Sequence, residues 1–254
     1  MTTLTKPELE IKVNGFGEVY RVYAPFDQAL NSLKNFGIET PISLRDLAYT
    51  RVKKGKNSPL NRYGSHTKEG FLYLKDEPIL LALNSPLLDL ELARQAVEAN
   101  RKGDFFLIDK IVYYQYREKA EKEKNKEPEE RSLLILPERK NQEIPTNSFS
   151  KNELTRFLFK DQAKNYGKFL RKNRINKMSI WLVDKEYIDS KEESILMQSG
   201  FHNLCNNSVI YGKNLSYAGS KLSNIVLGVK ESKSSNSKFE KFLGFFQKLR
   251  EINF

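Results

Sequence analysis

The chain has 254 residues, 39% of them hydrophobic and 11% aromatic, which is typical of a globular protein with a sizeable core. Lys and Arg number 43 against 32 Asp and Glu, a formal net charge of +11, so negatively charged partners such as nucleic acid are admissible. This composition excludes a largely disordered chain and a disulfide-stapled scaffold.

Cysteine and histidine are too scarce for a cysteine-cluster zinc site or a histidine-rich metal centre. The chain has one cysteine, Cys205, and two histidines, His66 and His202. We therefore expect neither a metal nor another cofactor. No apolar run suggests a signal peptide or a membrane span, so we expect a cytoplasmic protein by default.

The first third of the chain reads as a hairpin followed by two helices. Residues 9–13 and 17–24 alternate with strand period around Asn14-Gly15, which predicts a turn rather than a phosphate loop. Helices are predicted from Phe26 to Phe36 and from Ser43 to Lys53. Polar residues 54–70 predict a loop, and a strand follows at 71–75.

The middle of the chain has one helix and two apolar stretches. Ser85-Pro86 favours a helix start, and an apolar stripe continues to about Lys102. Residues 105–116 and 132–136 are rich in aromatic and β-branched side chains, which predicts two strands that pair around the charged connection 118–131.

In the last third, a capping box at Ser150 to Glu153 predicts a helix start. Residues 178–183 predict a buried strand that contains the single tryptophan, Trp181. Residues 222–229 predict a closing strand buried on both faces, in which Gly228 permits close approach of a neighbouring chain.

Three patterns could carry chemistry, and each has a simpler explanation. Glu8, Glu10 and Lys12 fit a nuclease metal triplet, but such triplets arise by chance in a chain with 30% charged residues. Cys205 and His202 lack any sign of an oxyanion hole, so they do not predict a cysteine nucleophile. Basic clusters at 51–56 and 168–177 could contact phosphates, or could be solvated helix ends.

Residues 200–229 have a different composition, dominated by Asn, Ser, Gly and Tyr. Tyrosine gives rigid amphipathic contact area, and the small polar residues give adaptable hydrogen bonds, as in an antibody paratope. Asn and Gly would also be enriched in an ordinary long loop. The segment has no carboxylate, so it does not predict calcium-dependent sugar binding.

The same segment resembles the variable proteins of archaeal diversity-generating retroelements. The similarity rests on Phe201-x-x-Leu204-x-x-x-Ser208, Gly212, Leu215 and the closing Val226-Leu227-Gly228-Val229, with upstream support from Asn152 to Phe159, Asp161 to Lys164, Tyr166 and Asp184 to Tyr187. The resemblance implies a C-type-lectin fold in which the first and last strands pair, two helices flank the sheet and variable side chains point outward.

The codons of such variable positions offer a modest check of this resemblance, because retroelements of this type mutate template adenines. Mutating the adenines of an AAY codon cannot yield Lys, Glu, Gln, Met or Trp. Between His202 and Asn224 only Lys213 and Lys221 fall in that excluded set, although residues 185–198 just before are rich in Lys and Glu.

We therefore expect an α+β protein with a C-type-lectin-like fold, a mixed and mainly antiparallel sheet, flanking helices and an extra C-terminal helix. It would be one domain over 1–254, comprising an N-terminal part (1–145), a lectin-like part (146–236) with a display region (200–229), and an amphipathic helix (237–254). It would not be an enzyme, and would display a diversified surface to an unknown protein or other macromolecule. The alternative is a basic nucleic-acid-associated protein of a virus or mobile element. The predicted ligand contacts are His202, Asn203, Cys205, Asn206, Asn207, Val209, Tyr211, Lys213, Asn214, Ser216, Tyr217, Ser220 and Ser223.

Overall fold

A computed structural model describes residues 6–62, 64–204, 207–211 and 225–231, with the side chains of 195–204, 207 and 211 left undescribed. The helices of this part of the chain are α1 (Phe26–Asn35), α2 (Leu44–Lys54), α3 (Leu90–Arg101), α4 (Lys110–Glu123), α5 (Glu153–Phe159), α6 (Ala163–Lys172) and α7 (Lys185–Asp189). The strands are β1 (Glu8–Val13), β2 (Gly17–Tyr23), β3 (Ser65–Tyr73), β4 (Ile79–Ala82), β5 (Leu107–Ile108), β6 (Leu133–Leu136), β7 (Gln142–Pro145), β8 (Lys177–Trp181), β9 (Ser194–Leu204), β10 (Asn207–Tyr211) and β11 (Ile225–Glu231). The predicted α+β class is confirmed.

One mixed sheet connects these strands. Its main path runs β1-β2-β11-β3-β9-β10-β8-β7, while β4 branches from β3, β6 pairs with β4, and β5 pairs with β9. Among the described pairs, β10 with β8 and β11 with β3 are parallel and the others are antiparallel. The mainly antiparallel arrangement predicted from the sequence is confirmed.

The N-terminal hairpin forms as predicted, with Gly15 in the left-handed region at φ +75°. The second strand of this hairpin, β2, pairs with β11, the last described strand. The N-terminal and closing segments therefore meet, although the direct pairing of first and last strands that the resemblance implies is made by β2 and not by β1.

Strand β11 lies between β2 and β3 and is buried on both faces, as predicted. Ile225 and Leu227 join one hydrophobic cluster, and Val226 joins the other. Gly228 packs so tightly under α1 that a Cβ atom there would lie 2.8 Å from Leu33 Cδ2. The alternation of side chains along a strand explains how one strand serves two cores.

Two hydrophobic clusters cover opposite faces of the central strands. The first contains apolar side chains of α2, α5 and α6, and the second contains those of α1, α3 and α4. More helices thus pack on the sheet than the two implied by the resemblance. The first cluster also joins residues of 1–145 with residues of 146–236.

The stretch 105–116 was predicted as a strand, and this is wrong beyond Ile108. The Asp109 carboxylate accepts a hydrogen bond from the Ile111 N–H and caps α4, which begins at Lys110. Tyr113 and Ala120 face the core seven residues apart, whereas Ile111 is 58% exposed. The predicted pairing of this stretch with 132–136 is also wrong, because β5 pairs with β9 and β6 with β4.

Two further local predictions need correction. Helix α5 is capped by Asn152, whose Oδ1 accepts from Thr155 N–H at 3.1 Å, and not by the Ser150 capping box. The predicted loop 54–70 already contains the start of β3 at Ser65.

The structure leaves several predictions untested. The single-domain organisation and its internal boundaries stay predictions, and the C-terminal helix at 237–254 lies outside the described residues. No helix in the described ranges is long and apolar enough to cross a membrane.

Candidate functional site

The predicted display region begins on the sheet formed by β9, β10, β8 and β7. Paired residues on neighbouring strands form rows across a sheet, and successive rows face opposite sides. Ser208 pairs with Met178, and Met178 pairs with Ile144; the next such row contains Ile210 and Ile180. These five side chains are at most 3% exposed, so their two rows form a core face.

The alternate rows form the opposite side of the same strands, which we call the display face. Its described side chains are Glu143, Pro145, Lys177, Ser179, Trp181 and Val209. Trp181 is 40% exposed, and the Lys177 Nζ atom lies 2.6 Å from Glu143 Oε1. This face therefore combines an aromatic side chain, a hydroxyl and a charged pair outside the core.

Trp181 corrects the sequence prediction, which placed it in the core. The strand forms over Lys177–Trp181, and Leu182 and Val183, which follow it, are buried in the first hydrophobic cluster. Within the strand, only Met178 and Ile180 belong to that cluster. Ser179 and Trp181 alternate with those two apolar residues, and this alternation would have predicted that Trp181 lies on the face opposite the core. The continuous apolar run Ile180 to Val183 obscured it.

The backbone register places four predicted contact residues relative to these rows. His202 pairs with Val209, and Tyr211 pairs with Trp181, so both positions lie in display rows. Asn207, two residues before Val209, lies in another display row. Asn203 instead pairs with Ser208 in a core row.

Val209 is 2% exposed although its row belongs to the display face. Its buried side chain has no free surface to offer a ligand, so we leave it out of the candidate surface. The remaining predicted contacts lie outside the described residues; they are Cys205, Asn206, Lys213, Asn214, Ser216, Tyr217, Ser220 and Ser223.

The carboxylates considered for a nuclease site have structural partners instead. Arg21 on β2 lies 2.9 Å from Glu8 and 3.3 Å from Glu10, and Lys12 lies 2.7 Å from Glu18. These are cross-strand ion pairs of the N-terminal hairpin. No group of three or more potential metal-ligating side chains occurs in the described ranges.

The two basic clusters differ in their exposure. Arg51 is fully buried, and its Nε and Nη2 donate to the Leu60 carbonyl at 3.1 and 2.8 Å. It cannot contact a phosphate, which weakens the cluster at 51–56. In the cluster at 168–177 the cationic side chains are exposed at and beyond the end of α6.

Comparison with solved structures decides the fold. No protein-family model and no curated protein matches the chain. A solved structure described as accommodating massive sequence variation in Nanoarchaeota by the C-type lectin fold superimposes with a TM-score of 0.59. The match covers 88% of this chain and 100% of the other at 13% sequence identity.

The protein has a C-type-lectin fold. At this identity the similarity concerns the fold alone. In this lectin fold the display face lies on strands whose other face is core. Side chains on one face can therefore change while the other face holds the fold together.

Proposed function

We propose that this protein binds ligands without catalysing a reaction, and displays a variable surface on its C-type-lectin scaffold as variable proteins of diversity-generating retroelements do. The observation that carries the proposal is the division of β8 and β10 into a core face and a display face. Substitution of the exposed side chains in these display rows removes no core contact, so those positions tolerate change. The ligand would be a protein or another macromolecule.

The pairing of Trp181 with Tyr211 supports a binding role for this face. Tryptophan and tyrosine carry a disproportionate share of binding energy in protein interfaces, because they bury large areas with few rotatable bonds. Trp181 lies before the predicted variable segment, and its codon cannot arise by adenine mutation of AAY. We therefore assign it to a constant anchor beside variable neighbours.

Sequencing the coding region in many cells of one host population tests the diversification. We expect substitutions concentrated in residues 200–224, confined to codon positions that are adenines in a nearby template copy. The codons for Met178, Ile180 and Trp181 should stay unchanged. Substitutions spread evenly along the gene, or absence of a template copy, would contradict the proposal.

A binding selection tests the surface itself. In a displayed library randomised at positions 202, 207 and 211, we expect binders to a model protein such as lysozyme. Trp181→Ala should weaken the selected binders more than tenfold, whereas Lys140→Ala, an exposed change away from the display rows, should leave them unaffected. A library from which no folded binder emerges would argue against this face.

The alternative role in nucleic-acid binding rests on the exposed cations of 168–177. A synthetic 20-base-pair DNA duplex is the appropriate probe. Binding that weakens steeply between 50 and 200 mM salt, and that is lost when Lys168, Arg171 and Lys172 are replaced by alanine, would favour this alternative.

A further inference from the structure

Helix α6 carries a strongly cationic surface on its solvent side. Between Ala163 and Arg174 the chain has no Asp or Glu. The cationic residues of this stretch are all exposed, and we call them the α6 cation row: Lys164, Lys168, Arg171, Lys172 and Arg174. Those within the helix follow one another at helical spacing, which places them on one side of α6.

The α6 cation row is not neutralised within the part of the chain that the structure describes. None of its members forms an ion pair there, whereas Lys177, just beyond the row, lies 2.6 Å from Glu143. Asp161, which precedes α6, is paired with Arg45 at 2.8 Å. Favourable interaction with the end of a helix does not explain the row, because Lys164 lies in the first turn, where the helix dipole disfavours a cation.

A second group of exposed lysines lies at the end of α2, beside α6. The Arg51 guanidinium donates to the Tyr166 hydroxyl at 3.2 Å, which holds the last turn of α2 against α6. No Asp or Glu occurs between Asp46 and Glu69. The exposed lysines of this group are Lys53, Lys54 and Lys56. The two neighbouring helices therefore form one basic layer.

The α6 cation row faces away from the display face. Tyr166 and Leu170 of α6 are buried in the first hydrophobic cluster, together with Met178 and Ile180 of the β8 core face. Helical spacing places Lys168 on the side of α6 opposite to Tyr166 and Leu170. The row and the display face therefore lie on opposite sides of the sheet formed by β8 and β10.

The packing of α6 favours a planar partner over a nucleic-acid groove. A helix that reads the major groove projects from its domain, because the groove is only about 12 Å wide. Helix α6 instead packs against α2, and against α5 through the rings of Phe159 and Tyr166, whose centroids are 5.0 Å apart. A basic amphipathic helix that lies within a layer is typical of proteins that bind anionic membrane surfaces.

We propose that the α6 cation row binds the anionic headgroups of a lipid membrane, so that the display face points away from the membrane. The attachment is electrostatic and does not insert α6 into the bilayer, because the apolar side of this helix is part of the protein core. The orientation rests on the proposed function, since it leaves the display rows free to meet a ligand in solution.

The chain offers a charge-matched pair of triple variants. The first replaces the lysines of the row, Lys164, Lys168 and Lys172, by glutamine. The control replaces three lysines that are also exposed but lie on or beside α3 and α4, namely Lys102, Lys110 and Lys119. Each triple variant lowers the net charge by three, from +11 to +8. A difference between them therefore reports the position of the charges and not their number.

Co-sedimentation of the full chain with vesicles of phosphatidylcholine and about 30% phosphatidylglycerol, in about 100 mM salt, measures binding. Since each lysine near an anionic surface contributes roughly fivefold in affinity, we expect the first triple variant to bind about 100-fold more weakly than the unaltered protein. The control should bind within about threefold of it. Vesicles of phosphatidylcholine alone should not bind, and about 1 M salt should release the protein.

Trp181 reports the orientation, because it is the single tryptophan and is 40% exposed on the display face. In the vesicle-bound protein its fluorescence should remain accessible to acrylamide in solution and should not be quenched by brominated lipids. Quenching by brominated lipids would overturn the proposal, because the display face would then contact the membrane.

Other results would also overturn the proposal. These are absence of binding to the anionic vesicles, equal weakening in the two triple variants, and displacement of the bound protein by a DNA duplex at the same phosphate concentration, which would identify nucleic acid as the partner. The proposed function fails separately, because the selection of binders at positions 202, 207 and 211 is made without vesicles.

Discussion

The guanidinium of Arg51 on α2 donates a hydrogen bond to the hydroxyl of Tyr166 on α6, with Nη1 and the oxygen 3.2 Å apart and both side chains fully buried. Because Arg51 also donates twice to the Leu60 carbonyl, one cation joins two helices and the segment that follows α2. The arginine most central to a predicted basic surface is therefore part of the interior.

Arg51→Met should lower the free energy of unfolding by about 2–3 kcal/mol, because the charge-assisted hydrogen bonds to the Leu60 carbonyl and the Tyr166 hydroxyl are lost. Urea denaturation measures the change. Lys54→Met, three residues along the same helix but exposed, is the control and should change stability by less than about 0.5 kcal/mol. Equal effects of the two substitutions would show that the Arg51 hydrogen bonds do not stabilise the fold.

Trp181→Ala should cost only about 1 kcal/mol, because the indole is 40% exposed on the display face. The neighbouring substitution Ile180→Ala removes a fully buried side chain and should cost about 2–5 kcal/mol. Parallel denaturation curves compare the two. A Trp181→Ala loss as large as that of Ile180→Ala would place the indole in the core after all.

Ile225→Asp and Val226→Asp should each abolish cooperative unfolding, because each places an unpaired charge in a different hydrophobic cluster. Lys230→Asp, at an exposed position of the same strand, is the control and should stay within about 1 kcal/mol of the unaltered protein. Thermal unfolding followed by circular dichroism gives the comparison. Cooperative unfolding of either β11 core variant would show that β11 is not buried on both faces.

Stability should fall as the pH rises from about 4.5 to 7, because of Glu69. Burial raises the pKa of this carboxyl to about 7 from its ordinary value of 4.5, although the carboxylate accepts a hydrogen bond from Leu44 N–H at 3.0 Å. The folded state thus holds a proton that the unfolded state releases, and deprotonation costs about 3 kcal/mol.

The variant Glu69→Gln keeps an acceptor for the Leu44 amide and has no proton to lose. The free energy of unfolding, measured by urea at pH 4, 5, 6, 7 and 8, should therefore fall for the unaltered protein relative to Glu69→Gln across this range. If the difference between the two proteins does not change with pH, the Glu69 carboxyl is not protonated by burial.

Local patterns in the sequence determined much of the fold. Alternation and a turn dipeptide predicted the β1–β2 hairpin, and the apolar Ile225-Val226-Leu227 run predicted a strand with two buried faces. Ser43 predicted the start of α2, where its hydroxyl accepts from Asp46 N–H at 3.0 Å. Such features depend on residues within one or two turns or on simple periodicity, so they can be read without knowledge of distant partners.

Residues 105–116 and Trp181 show what local pattern could not decide. A run of aromatic and β-branched residues fits a buried strand or a helix with one buried side equally well, and only packing of Tyr113 against distant elements selected the helix. The orientation of Trp181 likewise follows from its pairing with β10, which lies about 30 residues away in sequence.

The amino-acid sequence by itself determined the fold class, the closing strand and the unusual composition of residues 200–229. Only the tertiary structure decided which rows of the sheet form the display face and that Arg51 is buried. Each of these depends on contacts between segments far apart in the chain. Because side chains alternate along a strand, every strand has two faces. Which of the two faces meets the core depends on the elements that pack against the sheet.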